Sequence, residues 1–216
     1  MRPVCALAVA IVLGGGDAAA QNRVALEAFG GTALNVPTGL TLRQDGYPDL
    51  DFTARYDTRP FEVPVYWSYR LSLLDEERAF ELQLTHQKLH LTDNPPEVEQ
   101  FEITHGFNIA TFTYAFLTLP VDLRVGGGVV LPHPEGIVRG ERFDSPPGGI
   151  FGLGYHKLGP VLTGGVGKRW EPVRHLLLTT EASATAVWAR GLPVSGGSVD
   201  AFNLALHLRA GLGFVL

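Results

Sequence analysis

Three short stretches carry the residues best suited to chemistry: Thr85-His86-Gln87-Lys88, Thr104-His105-Gly106-Phe107-Asn108 and Pro132-His133-Pro134-Glu135. An imidazole or the Glu135 carboxylate can take up a proton as a general base. Two histidines with a carboxylate also form a known iron-binding arrangement, which His86, His105, His133 and Glu135 have the types to supply. The cofactor is therefore unidentified at this stage, with a divalent metal such as iron as one candidate. Lys88 adds a compact positive charge on a flexible stem, suited to a phosphate or carboxylate.

The elements that must hold these residues are strands. At the C-terminus Phe202, Leu204, Leu206, Leu208, Ala210, Leu212, Phe214 and Leu216 fill every second position, with Asn203, His207, Arg209 and glycines between them. A period of two over that length is a strand with one apolar face. The same alternation runs through Phe61 to Leu73, Phe80 to Leu84, Val121 to Val129 and Leu176 to Ser183. The opposite faces carry Arg70, Arg124 and Arg209 together with Glu27, Glu62, Glu81, Asp122 and Glu181. Such a pattern predicts an all-β fold, a closed up-and-down antiparallel transmembrane β-barrel of about eight strands, apolar outside, with a charge-paired plug and no pore within.

Connections give the orientation. Short links at Asp75-Glu76-Glu77-Arg78, around Leu117 to Pro120 and at Glu171-Pro172-Val173-Arg174 alternate with long ones near 35–60, 92–100, 132–157 and 190–198. Short turns belong in the periplasm and long loops outside. The strands then span roughly 22–34, 60–74, 79–92, 101–116, 120–132, 158–170, 175–190 and 199–216. Leu40 to Leu42 and Leu50 to Tyr56 have the pattern of an extra hairpin in the first long link.

On this layout three neighbouring strands place a histidine near the extracellular rim. His86 continues the outward series Phe80, Leu82, Leu84; His105 lies between Ile103 and Phe107; His133 continues Val125, Val129, Leu131. All three are expected to face lipid, His86 opposed to His105 and His105 to His133, about 5 Å apart if in register. Counting from the periplasmic turns instead sets His86 roughly 10 Å lower than the others, allowing for tilt. Polar residues at this height also commonly mark where hydrocarbon gives way to headgroups, with no chemistry attached.

Residues 1–20 have the layout of a cleaved secretory signal: Arg2, an apolar stretch from Val4 to Leu13, and Ala18-Ala19-Ala20 before the cleavage point. Residues 21–216 then form one barrel domain. The single cysteine, Cys5, falls in the signal, which leaves the mature chain without thiol chemistry. No apolar run approaches the ~20 residues a transmembrane helix needs. A formal charge of −5 without a Lys/Arg cluster argues against nucleic acid, while 26 glycines and a mean hydropathy of +0.12 fit a membrane barrel.

At the histidine stretches the sequence resembles the outer-membrane lipid A oxidases, barrel enzymes that convert the proximal glucosamine of lipid A to aminogluconate with molecular oxygen. The matching pieces are Phe61-Glu62-Val63-Pro64-Val65-Tyr66, the three stretches above extended to Leu131, Gly159-Pro160 and Phe202-Asn203-Leu204, in one order over residues 61 to 213. The resemblance implies an oxidoreductase of the bacterial outer membrane. Its partners would be lipid A or lipopolysaccharide, the membrane itself and, during biogenesis, the outer-membrane assembly machinery. It brings no catalytic assignment with it. On residue chemistry His86, His105, His133 and Glu135 are the catalytic candidates, and Lys88 and Asn108 the substrate contacts.

Two other classes stay open. Lipid A deacylation would use a serine beside a histidine on a late strand, but parity turns the late histidine, His207, into the lumen. A non-enzymatic structural or surface-interaction barrel would instead use its loops, such as Pro132 to His156, to hold a partner.

Overall fold

The structure is a computed structural model that describes residues 22–150 and 152–216. The expected signal, with Cys5, lies outside the described residues. Those residues form twelve strands: β1 (Arg23–Val36), β2 (Thr38–Gln44), β3 (Leu50–Ala54), β4 (Tyr56–Asp57), β5 (Trp67–Leu74), β6 (Arg78–Leu91), β7 (Val98–Phe116), β8 (Asp122–Val138), β9 (Glu141–Arg142), β10 (Gly159–Val173), β11 (Leu176–Val194) and β12 (Gly197–Val215). Eight of them, β1, β5, β6, β7, β8, β10, β11 and β12, pair in an antiparallel ring. The ring closes where β12 meets β1, from Ala25↔Val215 to Val36↔Leu204.

The alternation read from sequence is the alternation seen. Leu26, Leu71, Leu82, Phe112, Leu162 and Leu212 stand exposed on the outer wall. So many exposed apolar groups would be a liability in water and are the normal surface of a barrel in lipid. Aromatic groups gather along the belt, with Tyr114 edge-on to Phe80 and Phe116 low on β6 and β7, and Trp188 against Phe202 on β11 and β12. Apart from its bulges and the stretch of β1 above Phe29, the closed ring satisfies its ladder hydrogen bonds internally, the condition for strands to cross a membrane. The chain is an outer-membrane β-barrel.

The interior has two storeys. In the lower one Arg124 Nε lies 2.9 Å from Glu81 Oε2, Arg169 Nη2 2.7 Å from Glu27 Oε2 and 3.0 Å from Glu81 Oε1, and Arg209 Nη1 2.8 Å from Glu181 Oε1. Arg70 joins Glu81 and Glu181, and Asp122 pairs with Arg124. All of these side chains are buried, so each charge is neutralised where water is scarce. In the upper storey the interior is apolar, built from Leu40, Leu89, Ile103, Phe107, Leu192 and their neighbours. The rim strands cap it: β2 pairs with β12, β3 with β2, β4 with β6 and β9 with β8.

Several expectations change. The second barrel strand begins at Trp67, not residue 60, because Pro60 and Pro64 offer no N–H to a ladder. Residues 58–66 instead form a strap, and Glu62, expected in the lumen, is exposed on it. The link expected at 190–198 is mostly strand, since β11 and β12 meet across Ser195-Gly196 alone. The suspected hairpin exists, as β2 and β3. Arg169, missing from the expected plug, belongs to it because the Gly-rich β10 is a full wall strand.

Candidate functional site

The outer face of β6 runs Phe80, Leu82, Leu84 and then changes to His86, Lys88 and His90. The change falls roughly 20 Å above the periplasmic turn if the strand is tilted as usual, near the top of an apolar belt about 25 Å tall. Below it the face is open to lipid; from His86 upward it is covered. Trp67, the register partner of His86 on β5, stacks on the imidazole with ring centroids 5.4 Å apart and planes 11° off parallel.

On the other side β7 supplies Asn108, opposed to His86 across the β6–β7 ladder. His86 Nδ1 lies 2.9 Å from Asn108 Oδ1, and Asn108 Nδ2 donates to the Tyr155 hydroxyl at 2.9 Å. A carboxamide oxygen only accepts, so in the neutral imidazole the contact puts the proton on Nδ1 and the lone pair on Nε2. That Nε2 is buried without a hydrogen-bond partner. Tyr155 meets the His133 ring edge-on at 5.7 Å, and His133 reaches the Leu153 carbonyl through Nδ1 (3.2 Å) and Glu135 Oε1 through Nε2 (3.5 Å). Burial raises the Tyr155 pKa, opposed by the bond from Asn108, so the hydroxyl stays protonated at neutral pH.

A connected outward-facing chain, His86–Asn108–Tyr155–His133–Glu135, thus spans β6, β7, β8 and the loop after β9. Two glycines allow it to close. A Cβ on Gly106, whose φ is +144°, would sit 2.0 Å from Asn108 Nδ2 and 2.7 Å from the Tyr155 hydroxyl. One on Gly154, with φ +78°, would sit 2.4 Å from the His133 ring. Gly106→Ala is accordingly expected to push Asn108 off His86 and to cost about 1–3 kcal/mol from the strained backbone, read as a lower urea midpoint.

The expected site residues separate. His86, Asn108, His133 and Glu135 come together on the outer wall as described. Lys88 also faces outward but is only 2% exposed, its ammonium donating to the Glu62 carbonyl at 2.7 Å beneath the strap. The expected opposition of His86 to His105 does not occur; His86 faces Asn108, and Asn108 faces Leu131. Three residues of β7, Thr104 to Gly106, bulge between Ile103↔Pro134 and Phe107↔Pro132, so the register breaks there and the expected opposition of His105 to His133 is not among the paired positions. The outward reading of Ile103 and Phe107 fails, because both pack in the apolar upper interior. His207 is in the lumen, between Tyr66 and Thr185.

Two participants were not anticipated. Tyr155 sits in a loop where periodicity carries no information, and its only signal is its place beside Gly148, Gly149, Gly152 and Gly154. Glu102 pairs with His90 at 2.8 Å, two outward positions above His86 on β6. Among the described residues no three His, Cys, Asp or Glu groups gather in a form that would hold a metal ion.

No family model and no curated protein matches the chain. Solved outer-membrane barrels are similar in overall course. The outer membrane protein AlkL is 11% identical with a TM-score of 0.49 over 96% of this chain and 97% of its own. The attachment invasion locus protein Ail of Yersinia pestis is 12% identical at 0.45 (90% and 99%), and Neisserial surface protein A 11% at 0.41 (89% and 96%). Likeness at this level carries nothing about activity. The assignment to the outer membrane rests on the closed ring and its apolar belt.

Proposed function

We propose that the barrel is an enzyme of the outer leaflet that oxidises the proximal glucosamine of lipid A to aminogluconate, with lipopolysaccharide as its substrate and O2 as oxidant. The observation that carries this reading is the buried, unpartnered His86 Nε2 on the outer wall where the apolar belt ends. A lipid headgroup meets that height without leaving the bilayer. The sequence resemblance covers the same residues.

The chemistry requires a free anomeric hydroxyl. Carbon 1 gives up two electrons and two protons to O2, forming a lactone and hydrogen peroxide, and water opens the lactone to the acid, a net gain of one oxygen. Within that balance His86 Nε2 is the base for the hydroxyl proton, with Asn108 fixing its tautomer. Tyr155 and His133 extend the polar wall along which the sugar would lie, with Glu135 as the second candidate base. Lys88, under the strap, lends charge to the neighbourhood without a direct contact. Oxygen chemistry ordinarily draws on a metal or organic cofactor. Among the described residues no three His, Cys, Asp or Glu groups converge to hold a metal here.

Mass spectrometry of lipid A from cells with and without the gene tests the reading. A gain of one oxygen on the proximal sugar is the expected result. Loss of an acyl chain would replace oxidation by deacylation, and unchanged lipid A would leave a structural or surface-interaction barrel.

A further inference from the structure

The wall has a gap in its ladder that the strap fills. Pairing of β1 with β5 ends at Phe29↔Ser68, yet β1 continues to Val36 and β6 to Leu91. Residues 58–66 occupy the space between them. Inside they are tied down: Thr58 Oγ1 donates to the Ala33 carbonyl, Asn35 Nδ2 to Thr58 Oγ1, and Lys88 to the Glu62 carbonyl. Outside they project Phe61 and Val63, 90% and 91% exposed, the two most exposed large apolar side chains among the described residues.

Phe61 and Pro60 form one wall of a groove of about 690 Å³, whose other sides are Gly30, Gly31 and Thr32 on β1 and residues 208–210 on β12, where the Arg209 guanidinium is turned into the lumen on Glu181. Counted along β1, the floor at Gly30 is roughly 15–20 Å above the periplasmic end, within the upper part of the apolar belt. We infer that this groove is a specific binding site for one acyl chain of an outer-leaflet lipid, clasped between Phe61 and the β1–β12 wall. The occupant follows from the location, because the groove opens on a face already in contact with hydrocarbon, and its lining offers an alkyl chain a third side that a flat barrel wall lacks. Burial of apolar groups on both partners drives nothing in lipid, so the gain is packing contact, to which a concave site contributes more than a convex one. The site stands independently of the chemistry proposed for His86.

Gly30 makes a clean test, since a Cβ there meets nothing within 4 Å and a larger side chain projects into the groove, not into the barrel. The protein is refolded into phosphatidylcholine vesicles doped with a phosphatidylcholine carrying a diazirine on the upper part of one acyl chain, irradiated, and its adducts mapped by peptide mass spectrometry. Adducts at Phe61 and residues 208–210 should exceed those at Leu123 and Leu162 severalfold. Gly30→Trp should reduce the first set to the background of the second while leaving the second unchanged. Phe61→Ser, on a segment outside the ring, should do the same without touching a wall strand. Equal labelling around the belt, or labelling at the groove indifferent to both variants, would overturn the inference.

Discussion

Glu81→Gln is expected to lower the unfolding free energy by about 3–5 kcal/mol, the usual cost of removing one partner from a buried ion pair. The substitution keeps size and shape, so packing is not the cause. Glu81 is shared by Arg70, Arg124 and Arg169, and Thr113 donates to it as well. Its loss leaves Arg70, Arg124, Arg169 and Arg209 facing Glu27, Glu181 and Asp122 with one negative charge too few, in a lumen that admits little water. Urea unfolding in detergent micelles measures the change, and loss of the folded band on unheated SDS gels should accompany it. Arg23→Ala provides the contrast. Its pair with Glu171 at 2.7 Å is exposed on the periplasmic rim, where solvent screens it, and its loss should leave the unfolding midpoint nearly unchanged. Equal effects from the two substitutions would show that the plug is not what holds the barrel.

The same plug explains where the sequence could be read and where it could not. Through the lower storey the lumen is charged and the outside is lipid, so Arg70, Glu81, Arg124, Glu181 and Arg209 announce their facing and every strand can be laid down by parity. Above it the interior becomes apolar while the outer wall becomes polar. Ile103 and Phe107 suggest an outward facing because they are apolar, and they point inward for the same reason. His86 and His133 escaped this error since each continues a series begun lower on its own strand. A segment of β7 beginning at the rim has no such anchor.

Registers failed for a second reason. The links from β6 to β7 and from β7 to β8 can be counted, but the bulges between Gln87 and Leu89 and between Ile103 and Phe107 cannot. They shift the partner of His86 from His105 to Asn108 and reduce the height difference that plain counting suggested. Gly106 is the visible trace of the second bulge, a glycine demanded by close approach and by its positive φ. The strap misleads through its own alternation. Phe61, Val63 and Val65 alternate as a strand would, and only Pro60 and Pro64 say that no ladder can form there.

If His86 is the base, His86→Ala should lower lipid A oxidation by about 10²–10⁴-fold, the range such groups contribute, with the folded gel band retained. Retention is expected because the side chain faces outward and bears on no lumen contact. Asn108→Leu offers the sharper discrimination. It removes the acceptor that holds the proton on Nδ1, so the imidazole is free to place its proton on Nε2 and present no lone pair. Activity should fall by roughly tenfold, less than in His86→Ala, since one tautomer still works. Tyr155→Phe deletes the hydroxyl that Asn108 reaches and should have a milder effect in the same direction. A base acting through a fixed tautomer therefore predicts a graded series, His86→Ala below Asn108→Leu below Tyr155→Phe below the unaltered protein. A purely structural role would order the variants by their unfolding midpoints instead. Oxidation unchanged in His86→Ala, with activity lost in Glu135→Gln, would move the base to the other end of the chain of contacts, where His133 and Glu135 meet.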